Sequence, residues 1–189
     1  MRPKAVIIGP PGSGKTTIGT ALADRLGVAL RDTDADVERA AGKPIGEIFI
    51  DDGEERFREM ERAAVADALA GHEGVLALGG GAVLAAETQE LLAGHTVVYL
   101  RVGLSEAIKR VGLASARPLL VLNPRSQMRK LLEERLPIYE RLGTVHVDTD
   151  GREPADIVEE VVKALEDAAP GERGEAPPRD EPSAREGDE

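Results

Sequence analysis

The 189-residue chain has no cysteine and no tryptophan, only two phenylalanines and two tyrosines, and three histidines. Without cysteine, disulfides and thiolate metal sites are excluded, and a reducing compartment fits. With so few aromatic residues, the core must be packed by Leu, Val, Ile and Ala, and a hydrophobic content of 41% is enough for one. No apolar run approaches the ~20 residues that span a bilayer. No signal-type hydrophobic stretch follows Met1-Arg2-Pro3-Lys4. A cytoplasmic protein without a membrane partner is therefore expected. Positive charge is scarce too, with 24 Lys and Arg against 35 Asp and Glu, a net charge of −11. That balance argues against a nucleic-acid partner, since phosphate backbones require basic surfaces.

Much of the acidity lies at the end of the chain. From Ala168 to Glu189 there are seven acidic residues, three arginines and no Leu, Ile, Val or aromatic residue. Such a segment cannot offset its ordering entropy by burial, so residues 169–189 are expected to be a disordered acidic tail. Residues 1–168 suit a single domain.

What is present begins with Gly9-Pro10-Pro11-Gly12-Ser13-Gly14-Lys15-Thr16. It follows the apolar run Ala5-Val6-Ile7-Ile8 and opens into a helical stretch from Thr17. Strand, glycine loop and helix form the context in which G-x-x-x-x-G-K-[ST] cradles phosphates. Backbone N–H groups of Gly12, Ser13, Gly14, Lys15, Thr16 and Thr17 can face the phosphates, helped by the positive helix end. Lys15 reaches the β- and γ-phosphates, and the Thr16 hydroxyl can ligate Mg²⁺. A nucleoside triphosphate is the expected ligand.

Downstream, short apolar runs alternate with helical patterns. Strands are expected at residues 27–30, 75–78, 96–100 and 144–147, besides the first. Helices are expected at about 35–41, 45–50, 54–70, 86–92, 105–111 and 126–142, with Pro137 kinking or ending the last of these. Pro154 should start a final helix to about Ala168. On the helix of residues 54–70, Phe57, Met60, Ala64, Ala68 and Leu69 share one face. Residues 112–125, with Pro118 and Pro124, read as a mobile loop. The strands lack polar alternation, as in a parallel sheet covered on both faces. The expected fold is a three-layer α/β/α sandwich with a five-stranded parallel sheet.

A phosphate loop alone leaves the acceptor open. Asp32-Thr33-Asp34 follows the second strand, at the edge where open α/β sheets bind ligands. One acid can help hold Mg²⁺ and the other can orient a hydroxyl, although Asp-x-Asp also serves as a turn or cap. Arg58 and Glu61 are three apart on one helix, where the carboxylate can hold the guanidinium. Gly79-Gly80-Gly81 at a strand end suggests close backbone approach to a ligand. Arg117-Pro118-Leu119-Leu120 places an arginine where it can meet a transferring phosphate. Arg135-Leu136-Pro137-Ile138-Tyr139 carries another arginine. His72, His95 and His146 fall in none of these motifs and read as surface or strand-end residues.

Together G-P-P-G-S-G-K-T-T, D-T-D, F-R-x-x-E, G-G-G-A-V, R-P-L-L and R-x-P-x-Y, in this order over residues 4–166, resemble the shikimate kinase family. That resemblance implies a P-loop NTPase of the nucleoside-monophosphate-kinase-like type, transferring the ATP γ-phosphoryl group to the 3-hydroxyl of shikimate. It implies that Asp34, Arg58, Gly79, Gly80, Gly81 and Arg135 contact shikimate, the two arginines through its carboxylate. It implies that Thr16 and Asp32 serve Mg²⁺, that Lys15 and Arg117 neutralise the moving phosphoryl, and that Arg110 and Arg152 lie near the adenine. It further implies a shikimate-binding segment at about 33–62, a lid at about 112–125 and a monomer. The chain departs from the family in carrying Leu78 where many members have Thr or Ser, and Leu113-Ala114-Ser115-Ala116 before Arg117. A gluconate-type kinase on the same fold shares hydroxyls and a carboxylate in its acceptor and stays open, as does a nucleotide-dependent binding module without turnover. An adenylate-kinase-like enzyme is disfavoured by Thr16 directly after the loop lysine.

Overall fold

A computed structural model of the chain describes residues 2–113 and 123–168. The acidic tail of residues 169–189, Arg117 and most of the expected lid lie outside the described residues.

Five short strands form one parallel sheet: β1 (Ala5–Ile8), β2 (Leu30–Asp32), β3 (Val75–Ala77), β4 (Val97–Arg101) and β5 (Val145–Asp148), in the order β2-β3-β1-β4-β5. Parallel pairing demands helical crossovers. These are α1 (Lys15–Leu26), α2 (Thr33–Ala41), α3 (Ile45–Asp51), α4 (Gly53–Gly71), α5 (Ala86–Leu91), α6 (Leu104–Leu113) and α7 (Pro124–Leu142), with α8 (Pro154–Ala168) after the last strand. The expected three-layer α/β/α fold is the one observed.

Side-chain alternation along β1 divides the core. Ala5 and Ile7 join Ile18, Leu22, Val158 and Val161 beneath α1 and α8. Val6 and Ile8 face the opposite layer, with Val65, Ala68, Leu76 and Tyr139. A third, smaller cluster of Val37, Ile48 and Phe57 ties α2, α3 and α4 together. Phe49 stacks obliquely on Phe57 there, with ring centroids 4.6 Å apart. The segment 33–62 thus has an apolar centre of its own, which takes in no residue of the sheet.

Several expected boundaries move. The second strand is Leu30–Asp32, not residues 27–30. Gly27 adopts φ 65° and closes α1, its N–H reaching the carbonyls of Ala23 and Asp24, so the chain is still leaving a helix where the apolar run suggested a strand. Helix α2 begins at Thr33 because Asp32 caps it, accepting from the Asp34 N–H. Asp34 therefore sits in the first helical turn, not in a loop. On α4 the buried stripe is Phe57, Glu61, Val65, Ala68 and Leu69, with Met60 and Ala64 only partly buried against the third cluster. Gly112 and Leu113 belong to α6, and Pro124 and Arg125 to α7, so the expected loop is shorter than 112–125. Helix α7 runs through Pro137 to Leu142 and does not end early. Pro137 and Glu133 are both exposed, so water can take the carbonyl that loses its helical donor.

Candidate active site

The register of the parallel sheet brings the motifs together. Asp32 lies beside Ala77, and Ala77 beside Ile7. Two residues beyond those positions stand Asp34, Gly79 and Gly9, so the carboxylate, the triple glycine and the phosphate loop emerge at one edge.

At the phosphate loop, Gly12 and Gly14 take φ values of 81° and 89°, which side-chain-bearing residues reach only with strain. A side chain on Gly12 would also strike the Ala107 carbonyl, at 2.7 Å. Gly14 leads into α1 with no side-chain cap, leaving the first N–H groups of the helix directed at the loop. The Ser13 hydroxyl is fully buried inside the curl and has no partner among the described residues. Lys15 folds over the loop, its Nζ donating to the carbonyls of Gly9 at 2.9 Å and Pro10 at 3.1 Å. A ring of main-chain donors closed by an ammonium is a phosphate cradle.

The Thr16 hydroxyl lies 3.2 Å from Asp32 Oδ2, while Asp32 Oδ1 accepts from the Asp34 N–H at 2.9 Å. One carboxylate oxygen is thus spent on the cap and the other faces the threonine. Two hard oxygen donors beside a phosphate cradle would suit Mg²⁺, with Thr16 and Asp32 as the residues that would hold it.

Arg110 spans this end of the molecule. It donates to the Gly12 carbonyl at 3.3 Å and to Thr149 through both its hydroxyl and its carbonyl, and it pairs with Glu106. Arg152 donates to the Asp148 carbonyl at 3.0 Å and pairs with Glu160 at 2.6 Å. Arg110 touches the loop directly, and Arg152 stands at the next turn after β5.

Across the edge, Arg58 and Asp34 flank the triple glycine. A side chain on Gly79 would collide with the Asp34 carboxylate, and one on Gly81 with the Arg58 guanidinium. Arg135 Nη1 is 3.6 Å from the point where a Gly80 side chain would begin, and Pro11 Cδ of the phosphate loop is 3.3 Å from the same point. The missing side chains therefore leave room that two guanidinium groups, a carboxylate and the phosphate loop all border.

Glu61 holds Arg58 in this position. Its Oε2 accepts from Arg58 Nη1 at 2.6 Å, and it is only 3% exposed. Burial raises its pKa, opposed by Arg58 and assisted by the Asp34 carboxylate. Arg58 also lies over the Phe57 ring, 5.2 Å from its centroid. Thr33 is fully buried and accepts from the Gly79 N–H at 3.1 Å. Tyr139 donates to the Gly80 carbonyl at 2.5 Å, and burial pushes its phenol up to about 12.

The structure thus gathers Lys15, Thr16, Asp32, Asp34, Arg58, Gly79, Gly80, Gly81 and Arg135 at one edge, with Arg110 and Arg152 at its far side. Two supporting residues were not assigned roles from the sequence: Thr33 and Tyr139. Their signal was present, as the middle letter of D-T-D and the end of R-x-P-x-Y, while Glu61, read from the sequence as the acid that can hold Arg58, pairs with it. The histidines lie elsewhere: His72 faces the Ala29 and Val75 carbonyls, and His146 faces Arg101.

A sequence model of the shikimate kinase family matches residues 11–166. The shikimate kinase of Salinispora arenicola is 59% identical over 165 residues, covering 87% of this chain and 99% of that protein. That of Thermobifida fusca is 58% identical over 164 residues, covering 87% and 95%. Among solved structures, the shikimate kinase from Acinetobacter baumannii in complex with shikimate matches with a TM-score of 0.85 at 32% identity, over 90% of this chain and 96% of that one. A gluconokinase from Sinorhizobium meliloti matches with a TM-score of 0.53 at 22% identity, a likeness of fold alone. A matched model spanning most of the domain, close relatives matched over nearly their whole length and a single edge holding the motifs lead to one assignment: the chain belongs to the shikimate kinase family.

Proposed function

We infer that this chain transfers the γ-phosphoryl group of ATP to the 3-hydroxyl of shikimate, giving shikimate 3-phosphate on the route to chorismate. The observation that carries this reading is the placement of Arg58 against Gly81 and Arg135 near Gly80, with Asp34 against Gly79 and Pro11 of the phosphate loop bordering the same glycines. Two guanidinium forks facing one space suit a carboxylate, which they can meet bidentately. Shikimate offers that carboxylate at one end of its ring and hydroxyls at the other.

In this reading Arg58 and Arg135 fix the acid and turn the 3-hydroxyl toward the phosphates. Asp34 aligns that hydroxyl in line and accepts its proton late, because phosphoryl transfer is loose and draws most of its rate from positioning and charge neutralisation. Lys15 exchanges its loop carbonyls for the β- and γ-phosphates. Thr16 and Asp32 hold Mg²⁺, which supplies charge neutralisation to the phosphates when bound. Arg110 and Arg152 border the base end of the nucleotide. Arg117, which lies outside the described residues, would join Lys15 in neutralising the moving phosphoryl. The net charge of −11 supports an enzyme without nucleic-acid partners. Among the described residues no helix is long and apolar enough to cross a membrane. A cytoplasmic monomer completes the reading.

ATP consumption measured with shikimate, gluconate, AMP or no acceptor tests it. Turnover with shikimate far above the other three is expected. Consumption indifferent to acceptor, or higher with gluconate, would overturn it.

A further inference from the structure

Tyr139 has a place in the geometry that the reaction as described leaves unused. Its side chain is fully buried and its ring stacks on Tyr99, with centroids 5.3 Å apart and planes 19° apart. A phenylalanine would satisfy that stack equally. What the tyrosine adds is the hydroxyl, which donates to the Gly80 carbonyl at 2.5 Å. Gly80 lies beyond the end of β3, where sheet pairing no longer fixes the backbone. Arg135 sits one helical turn before Tyr139, on the same face of α7, and its Nη1 stands 3.6 Å from where a Gly80 side chain would begin. The Gly80 peptide is therefore held from α7 by Tyr139 while it borders the guanidinium from the same helix.

We propose that Tyr139 is a positioning residue for the acceptor: its hydroxyl fixes the Gly80 peptide at the height from which Arg135 meets the acid. The inference rests on the function proposed above, in which Gly80 and Arg135 hold shikimate. Losing the hydroxyl loosens the glycine wall and widens the angles open to Arg135, while the phosphate loop, which borders Gly80 through Pro11 and Gly9, keeps its own Lys15 hydrogen bonds. The cost falls on the acceptor and not on the nucleotide.

The test compares Tyr139→Phe, which keeps the ring and its stack, with the unaltered enzyme in shikimate and ATP titrations. Turnover of shikimate by the unaltered enzyme is measured first, and its absence would remove the proposed function rather than this inference. Given that turnover, Tyr139→Phe is expected to raise the shikimate KM by about three- to tenfold, the range of one hydrogen bond, with the ATP KM unchanged within about twofold. In an Arg135→Ala background the same substitution should add little, because the group being positioned is gone. Tyr99→Phe, altering the stacking partner, should leave the shikimate KM unchanged. An unchanged shikimate KM in Tyr139→Phe would overturn the inference. So would equal rises in both KM values, or full additivity with Arg135→Ala, since a merely structural role would produce those.

Discussion

Burial of Glu61 beside Arg58 has consequences for both stability and substrate use. Its folded-state pKa is raised, chiefly by desolvation, so the native protein binds that proton more tightly than the unfolded chain does. The associated stability is fully present below the ordinary carboxylate value of 4.5 and is lost as pH rises through the folded value. Melting temperatures of the unaltered protein and Glu61→Gln, compared across acidic to neutral pH, should show the unaltered protein losing ground in the window just above 4.5 and then holding a constant difference. A pH-independent difference would mean that the carboxyl is not strained by burial. The arginines themselves give the sharper catalytic expectation. A charge-assisted hydrogen bond is worth ~1.5–3 kcal/mol, so Arg58→Ala or Arg135→Ala should raise the shikimate KM by about ten- to a hundredfold while nucleotide affinity stays close to normal. Lysine at either position should rescue only in part, lacking the planar fork. Unchanged shikimate kinetics in Arg58→Ala would sink the carboxylate assignment.

Helices and strands place these residues by register, and the sequence shows some of that placement and not the rest. The phosphate loop is legible because strand, glycines, lysine and helix are contiguous, and local geometry does the work. The contact of Gly79 with Asp34 joins segments that the β2-β3 pairing brings level, and that of Gly81 with Arg58 depends on how α4 packs. Apolar periodicity carries no information about such pairing. The same limit explains the misplaced second strand: Val28 is apolar because it packs against the core after α1, Ala29 is exposed, and the paired residues Leu30, Arg31 and Asp32 include two charges. The Arg58–Glu61 pair was legible from its spacing, but the burial of Glu61 was not, because a glutamate on an amphipathic helix reads as exposed. At this scale Gly81→Ala is informative. Its backbone is not in the left-handed region, so the fold should persist, but the new methyl must displace the Arg58 guanidinium. Shikimate affinity should fall by about tenfold or more, as on losing a charge-assisted contact, with ATP binding little altered. Equilibrium titrations of both ligands would decide this, and a loss confined to ATP would contradict the placement of the triple glycine.

For the molecule as a whole, the described core closes on itself without the acidic end. Helix α8 buries Ile157, Val158, Val161 and Val162 against α1 and the sheet, and these apolar positions all precede Ala168. Residues 169–189 offer no large apolar side chain to add. Ending the chain after Ala168 should leave the melting temperature and kcat/KM nearly unchanged while removing more negative than positive charge. A fall of several degrees, or loss of most activity, would show that the tail docks on the domain. The proposed function gives one edge of the sheet two tasks, taking ATP at the phosphate loop and an acid through two arginines. Phosphoryl transfer to shikimate, compared with transfer to its methyl ester, which keeps every ring hydroxyl but removes the negative charge, separates these two tasks. ATP-dependent phosphorylation of the 3-hydroxyl of shikimate is expected, with kcat/KM lower by about ten- to a hundredfold for the ester. Equal kcat/KM for the two acceptors, or no phosphorylated shikimate at all, would contradict it.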